Sequence, residues 1–301
     1  MKINKTNLII DPKGILDLPP KFSYKIISQE GEMMNDGLLV PSNADGMACF
    51  KGKNDRLILI RNHEIGHVPN IQNIFVKNPY GDEIKKYIRK NGKNFYDIYQ
   101  DKTQCFGGTT TIVYNIKTEK VENQYLSLGG TLVNCSGGST PWNTWITCEE
   151  TVKKKGLGLY KNHGYPFEVI PSETTKLTIA KPLKSMGRFR REAVTFDPIS
   201  GYVYQTEDRE EGLLYRFKPH HKQNLSKGGI LQALVIIGME GKNTSNWDHE
   251  IFKQNKKYST KWVDLHNASS PNDTLRVEGK KLGCVSFARG EGIFFSKQSI
   301  Y

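Results

Sequence analysis

The segment "TLVNCSGGSTPWNTWITCEE", Thr131 to Glu150, holds two cysteines, two tryptophans, a Gly pair and two adjacent glutamates within twenty residues. A thiol and a carboxylate at the two ends of a glycine-rich stretch suggest metal ligation, and acids recur elsewhere in similar settings. The candidate ligands are Glu64, Cys135, Glu149, Glu150, Glu192, Glu207, Asp208 and Glu291. Many carboxylates, one thiolate and little imidazole favour Ca²⁺ or ferric iron over zinc. A single acid is usually a solvated surface group, but these recur beside Gly, Trp and Arg within otherwise apolar strands. Arginine stands at two of the same places. Arg190 and Arg191 precede Glu192 in "RFRREAV", and Arg289 lies two residues before Glu291 in "ARGE". Residues two apart in a strand share a face, so Arg289 and Glu291 are expected to point into one site. A guanidinium fork there suits a pair of phosphate oxygens, or equally a structural ion pair with the glutamate.

Other chemistries fit less well. "NCSGGS" lacks the G-x-S-x-G order of a nucleophile elbow. A Cys-His hydrolase using Cys135 with His63 or His67 has no identifiable group to orient its base. "FGGTTT" lacks the Lys-Ser/Thr of a phosphate loop, and no G-x-G-x-x-G opens a helix. Five cysteines without a C-x-x-C pair argue against a disulfide framework or a zinc ribbon. Cys49, Cys105 and Cys284 read as small buried hydrophobes, and Trp142 and Trp145 as packing beside the site.

The elements that must position these residues are mostly strands. "RLILI", "GTTTIVYNI", "TWITC", "GYVYQT", "GLLYRF", "ALVIIG" and "GIFFS" are short β-branched and aromatic runs with turn residues between them. "FDPISGYVY" and "YNIKTEKVENQY" read as hairpins, and the best helix is Gly81 to Lys90, with Asp82 and Glu83 in its first turn. Three strands run directly into polar or acidic pairs: "LILIRNHE", "TWITCEE" and "YVYQTED". Glu64 and Glu150 are 86 residues apart and Glu150 and Asp208 are 58 apart. Those spacings fit propeller blades of about 40 to 50 residues with insertions. A propeller would bring the acidic ends to one rim, where clustered carboxylates repel unless cations sit among them. Segment 220–281 is richer in polar residues and reads as a loop-rich insertion.

Length and composition allow a sizeable core in 301 residues, 37% of them hydrophobic, with no apolar run near bilayer length. The formal charge of +12 would attract anionic partners. Lys, Asn and Ile abundance has a simpler source in AT-rich coding, and no aromatic residues interleave the basic run Lys153 to Lys155, so nucleic acid is not the expected partner. Leu8 to Ile10 is too short for a signal-peptide core, so the chain as given is expected to be cytoplasmic or already processed.

"DGLLVPSNADGMACF", "LILIRNHE", "GGTTTIVYN", "LGGTLVNCSGGSTPWNTWITCEE", "REAVTFDPISGYVYQTEDREEGLLYRF" and "ARGEGIFF" occur in an order that resembles the PhoX-type alkaline phosphatases, formerly a domain of unknown function. The resemblance runs from about Pro20 onward. It implies an all-β chain folded as a β-propeller of about five to six blades. After an N-terminal extension over 1–20, the propeller would occupy 21–301. It further implies hydrolysis of phosphate monoesters at a cluster of Fe³⁺ and Ca²⁺ ions around a bridging oxo group in the channel. By motif, Cys135 resembles the thiolate ligand to iron and Glu150 a Ca²⁺ ligand. Glu192 and Glu291 resemble carboxylates at the iron centre, and Arg289 the arginine that holds phosphate. Glu207 and Asp208 lie where further Ca²⁺ ligands are expected, with Glu64 and Glu149 as additional acids.

Two departures accompany the resemblance. Arg191 stands where similar sequences often carry His, placing a second charge beside Glu192. "EGIFFSKQSIY" ends at Tyr301 within a hairpin pattern that relatives continue, so the propeller is expected to be incomplete there or closed by a partner chain. Relatives are also often exported. The same residues fit a second class, a catalytically inactive calcium-binding propeller acting as a binding or scaffold module.

Overall fold

A computed structural model describes residues 8–66, 78–98, 103 and 105–301. His67 and the first seven residues lie outside them. The apolar runs form antiparallel meanders in chain order. Strands β1 (Ala44–Lys51), β2 (Arg56–His63), β3 (Gly107–Asn115) and β4 (Lys120–Thr131) make a four-stranded sheet. Strands β5 (Asn134–Ser139), β6 (Trp145–Glu149) and β7 (Pro166–Val169) make a second. Strands β8 (Arg191–Phe196), β9 (Val203–Glu207), β10 (Leu214–Pro219), β11 (Gly229–Ile236) and β12 (Thr260–Asp264) make a third. A small hairpin of β13 (Phe295–Ser296) and β14 (Ser299–Ile300) follows.

Local chemistry explains the turns. Asn54 and Asp55, with φ of 49° and 61°, supply the two left-handed residues of a tight β1–β2 turn. "FDPISGYVY" closes the β8–β9 hairpin and "YNIKTEKVENQY" the β3–β4 hairpin, as the turn residues predict. Helix α1 (Ile84–Asn91) starts inside the expected segment and ends one residue beyond it; Glu83 is its N-cap, so neither Asp82 nor Glu83 lies in its first turn, and it buries Ile84 and Ile88, one turn apart on its core face. Segment 220–281 contributes β11, β12 and a short helix α2 (Leu275–Lys281). Among the described residues, no helix is long and apolar enough to cross a membrane.

The three sheets meet through their first strands, β1 against β5 and β5 against β8. Glycine makes this approach possible. A Cβ on Gly138 would lie 2.0 Å from the carbonyl oxygen of Val194 on β8, and one on Gly137 would lie 1.9 Å from that of Ile146 on β6. A Cβ on Gly46 would lie 2.7 Å from Ser136 Cα, so the β1–β5 seam is equally close. Apolar layers fill the space between sheets. Phe50, Ile58 and Ile60 pack with Trp145, Phe167 and Val169, while Ile146 and Cys148 pack with Val194, Phe196, Val203 and Phe217. The fold is all-β, with 35% strand and 9% helix; a closed ring of blades is not formed among the described residues.

Candidate metal centre

The register of three hairpins builds the site. At their junctions Ala44 pairs with His63, Asn134 with Glu149, and Arg191 with Glu207. Each hairpin therefore brings the start of its first strand beside the end of its second. The next residues on, Asp45, Cys135 and Glu192 on the first strands and Glu64, Glu150 and Asp208 after the second, turn away from these pairs: successive side chains alternate, and at each junction the first strand carries one extra, bulged residue.

That alternation splits every polar pair picked out in the sequence. The first member is buried and bonded within the fold. His63 Nδ1 lies 2.8 Å from Ser42 O and its Nε2 lies 2.9 Å from Thr110 Oγ1; burial drives its pKa down to about 3, so it is a neutral strut. Glu149 accepts hydrogen bonds from the amides of Leu132 at 2.9 Å, Gly164 at 2.7 Å and Tyr165 at 3.1 Å. The Arg191 guanidinium donates to Gln205 Oε1 at 2.8 Å and to the carbonyls of Met186 at 3.0 Å and Gly187 at 2.7 Å, stacked 4.0 Å from the Phe189 ring centroid. Its charge is thus directed into the sheet, while its carbonyl faces Cys135. Glu207 accepts from the Leu213 amide at 3.1 Å and the Tyr215 hydroxyl at 2.8 Å.

The second members converge. Cys135 Sγ and carboxylate oxygens of Glu150 and Glu192 all lie within 4.8 Å of one another. The Cys135 sulfur also sits 3.4 Å from Arg191 O and 3.5 Å from Glu192 O. Burial pushes the Cys135 thiol well up, and the Glu192 charge adds to this. Burial raises Glu192 to about 7, opposed by its hydrogen bond with Cys135 and reinforced by Glu291, Glu150 and Asp45. Glu150 is also raised to about 7, by burial first, with Arg190 opposing and Asp208 adding. Asp45 and Glu64 are raised by burial, Glu64 further by Asp45.

Two arginines border this acidic group. Arg190 is ion-paired to Glu150. Arg289 forks onto both oxygens of Asp208, with Nη2 3.0 Å from Oδ2, and lies 3.3 Å from Glu291 Oε1. Arg289 and Glu291 meet as expected but through a turn rather than a strand, Arg289 having a left-handed φ of 54°. A cavity of about 360 Å³ opens here, lined by Arg190, Arg209, Arg289, Asp208, Glu210 and Glu211.

Asn62 holds the thiolate strand in place. Its amide donates to the carbonyls of Cys135 at 3.0 Å and Ser136 at 2.7 Å, and its Oδ1 accepts from Trp145 Nε1 at 2.9 Å. Trp142 donates to Glu168 at 2.7 Å and packs edge-on to Phe196, so both tryptophans are structural. Sequence reasoning missed Asp45, Arg190 as the partner of Glu150, and Asn62. Only the β1–β2 register reveals Asp45, since in sequence it sits in an ordinary "NADG" turn.

The arrangement concentrates carboxylates that burial and mutual repulsion hold partly protonated, beside a thiol and under two arginines. Cations would neutralise it, and the guanidinium border suits an oxyanion. Residues 3–301 match a family model described as alkaline phosphatase PhoX. No curated protein matches the chain.

Proposed function

The chain belongs to the PhoX alkaline phosphatase family, and on that premise we propose that it hydrolyses phosphate monoesters at an iron and calcium cluster held by Cys135, Glu150, Glu192, Glu291 and Asp208. The observation that carries this reading is the convergence of Cys135, Glu150 and Glu192 within 4.8 Å. One thiolate suits ferric iron, and crowded carboxylates repel one another unless cations lie among them. Glu64 and Asp45 complete the acidic rim as additional Ca²⁺ ligands. Glu149, Glu207 and Arg191 shape the sheets behind it.

When bound, the ions would polarise the phosphoryl group and activate water near neutral pH. Cys135 anchors the cluster from β5, held by Asn62. Glu150, just after β6, and Glu192, at the start of β8, would supply the negative charge that holds the ions. Arg289 has a side chain 61% exposed and its Nε–Nη2 edge engaged by Asp208, so it would offer its Nη1–Nη2 edge to phosphate oxygens and stabilise charge growing on them. Arg190 and Arg209 line the same cavity, offsetting Asp208, Glu210 and Glu211 there.

The successive meanders joined by their first strands, with acidic ends gathered on one side, support reading the sheets as blades of a β-propeller over 21–301. Segment 220–281 elaborates the third. The purified protein is expected to contain iron and calcium by elemental analysis and to hydrolyse p-nitrophenyl phosphate in a chelator-sensitive way. Calcium without iron, with no turnover after iron reconstitution, would overturn the proposal.

A further inference from the structure

Behind Glu149 lies a second group of ligand-type side chains, on the opposite side of β6 from Cys135. It joins Asp97, after α1; Cys105, just before β3; and His163, just before β7. All three are buried, and one ligand atom from each lies within 4.8 Å of the other two. His163 Nε2 is 3.1 Å from Asp97 Oδ2 and 3.6 Å from Cys105 Sγ.

We propose that Asp97, Cys105 and His163 bind a single Zn²⁺ ion, which ties the segments before β3 and β7 together independently of the Cys135 centre. The distances fit a tetrahedral ion. With a metal–sulfur bond of about 2.3 Å and a metal–nitrogen bond of about 2.05 Å, the tetrahedral angle sets sulfur and nitrogen about 3.6 Å apart. A metal–oxygen bond of about 2.0 Å sets nitrogen and oxygen about 3.3 Å apart, near the spacing found. One thiolate, one imidazole and one carboxylate suit borderline Zn²⁺ better than Ca²⁺.

The surroundings are those of an outer coordination sphere. His163 Nδ1 lies 2.6 Å from Glu149 Oε1, so Glu149 would accept its proton and leave Nε2 free to ligate. Glu149 is itself fixed by the three amides described above. Asp97 is held by the amides of Tyr160 at 3.0 Å and Lys161 at 2.9 Å. Tyr96 packs edge-on to the imidazole at 5.3 Å between centroids. Three protein ligands leave the fourth tetrahedral corner to water.

The test uses the full chain, stripped with chelator and reloaded with Zn²⁺ alone. In Cys135→Ser, about one zinc per chain should remain after desalting, with one sulfur at about 2.3 Å by X-ray absorption. Cys105→Ser should lose that sulfur, and Glu149→Gln should weaken zinc affinity 10–100-fold. Should Cys105→Ser fail to fold, Asp97→Asn, which keeps an acceptor for the Tyr160 and Lys161 amides, should weaken affinity comparably. Zinc absent from Cys135→Ser, or present without a sulfur neighbour, would overturn the site. That result would mean that a proton, not a metal, joins His163 to its carboxylates, and it leaves the phosphatase reading untouched.

Discussion

Glu207 offers a prediction whose size follows from its environment. It is only 1% exposed, and burial raises its pKa from the ordinary 4.5 to about 7, with the Tyr215 hydroxyl and Leu213 amide opposing the shift. Among the described residues its Oε1 has no hydrogen-bond partner. Because the folded pKa of an acid is raised, the unfolded chain binds fewer protons between the two values, and stability falls as pH rises through that window. That displacement is worth roughly 3 kcal/mol of stability, most of it lost between pH 5 and pH 8. Guanidinium unfolding of chelator-treated protein at those two pH values should show this loss. Glu207→Gln should lack it, losing roughly 2 to 3 kcal/mol less than the parent over the same interval. Equal losses in parent and variant would refute the assignment of a buried, largely protonated Glu207.

Gly138→Ala should cost about 3 kcal/mol, since its Cβ would meet the Val194 carbonyl at 2.0 Å and force β5 from β8, parting Cys135 from Glu192. Gly292→Ala, with nothing within 4 Å of the added carbon, should stay within about 0.5 kcal/mol, and equal thermal melts for the two would contradict the seam. Asn62→Ala strands the Trp145 indole N–H and two strand carbonyls, so denaturant titration should show a loss of about 3 kcal/mol and iron content should fall with it. Arg289→Ala should lower kcat/KM for p-nitrophenyl phosphate about 100-fold, or about 2.7 kcal/mol, and an unchanged value would remove the arginine from phosphate binding.

Much of this molecule was legible in the chain. Short β-branched and aromatic runs and the turn residues of "FDPISGYVY" and "YNIKTEKVENQY" specify strands and hairpins because both signals are local. The Gly pair after Cys135 and the acids after three strands singled out side chains of which Cys135, Glu150 and Glu192 converge. What sequence could not supply was which member of each polar pair would do so. In His63-Glu64, Glu149-Glu150, Arg191-Glu192 and Glu207-Asp208 the members are equally polar, yet one is buried in the sheet and the other faces the cluster. That choice belongs to cross-strand register, where a one-residue slip would exchange the two sets. Contacts far apart in the chain likewise decided the rest. Cys105, read as a small hydrophobe from its neighbours, meets His163 fifty-eight residues away, and Asp45 joins the acidic rim only because β1 pairs with β2 and packs against β5. The sequence determined the strands, the turns and the kinds of ligand; tertiary packing alone determined which side chains share a face and therefore which can share an ion.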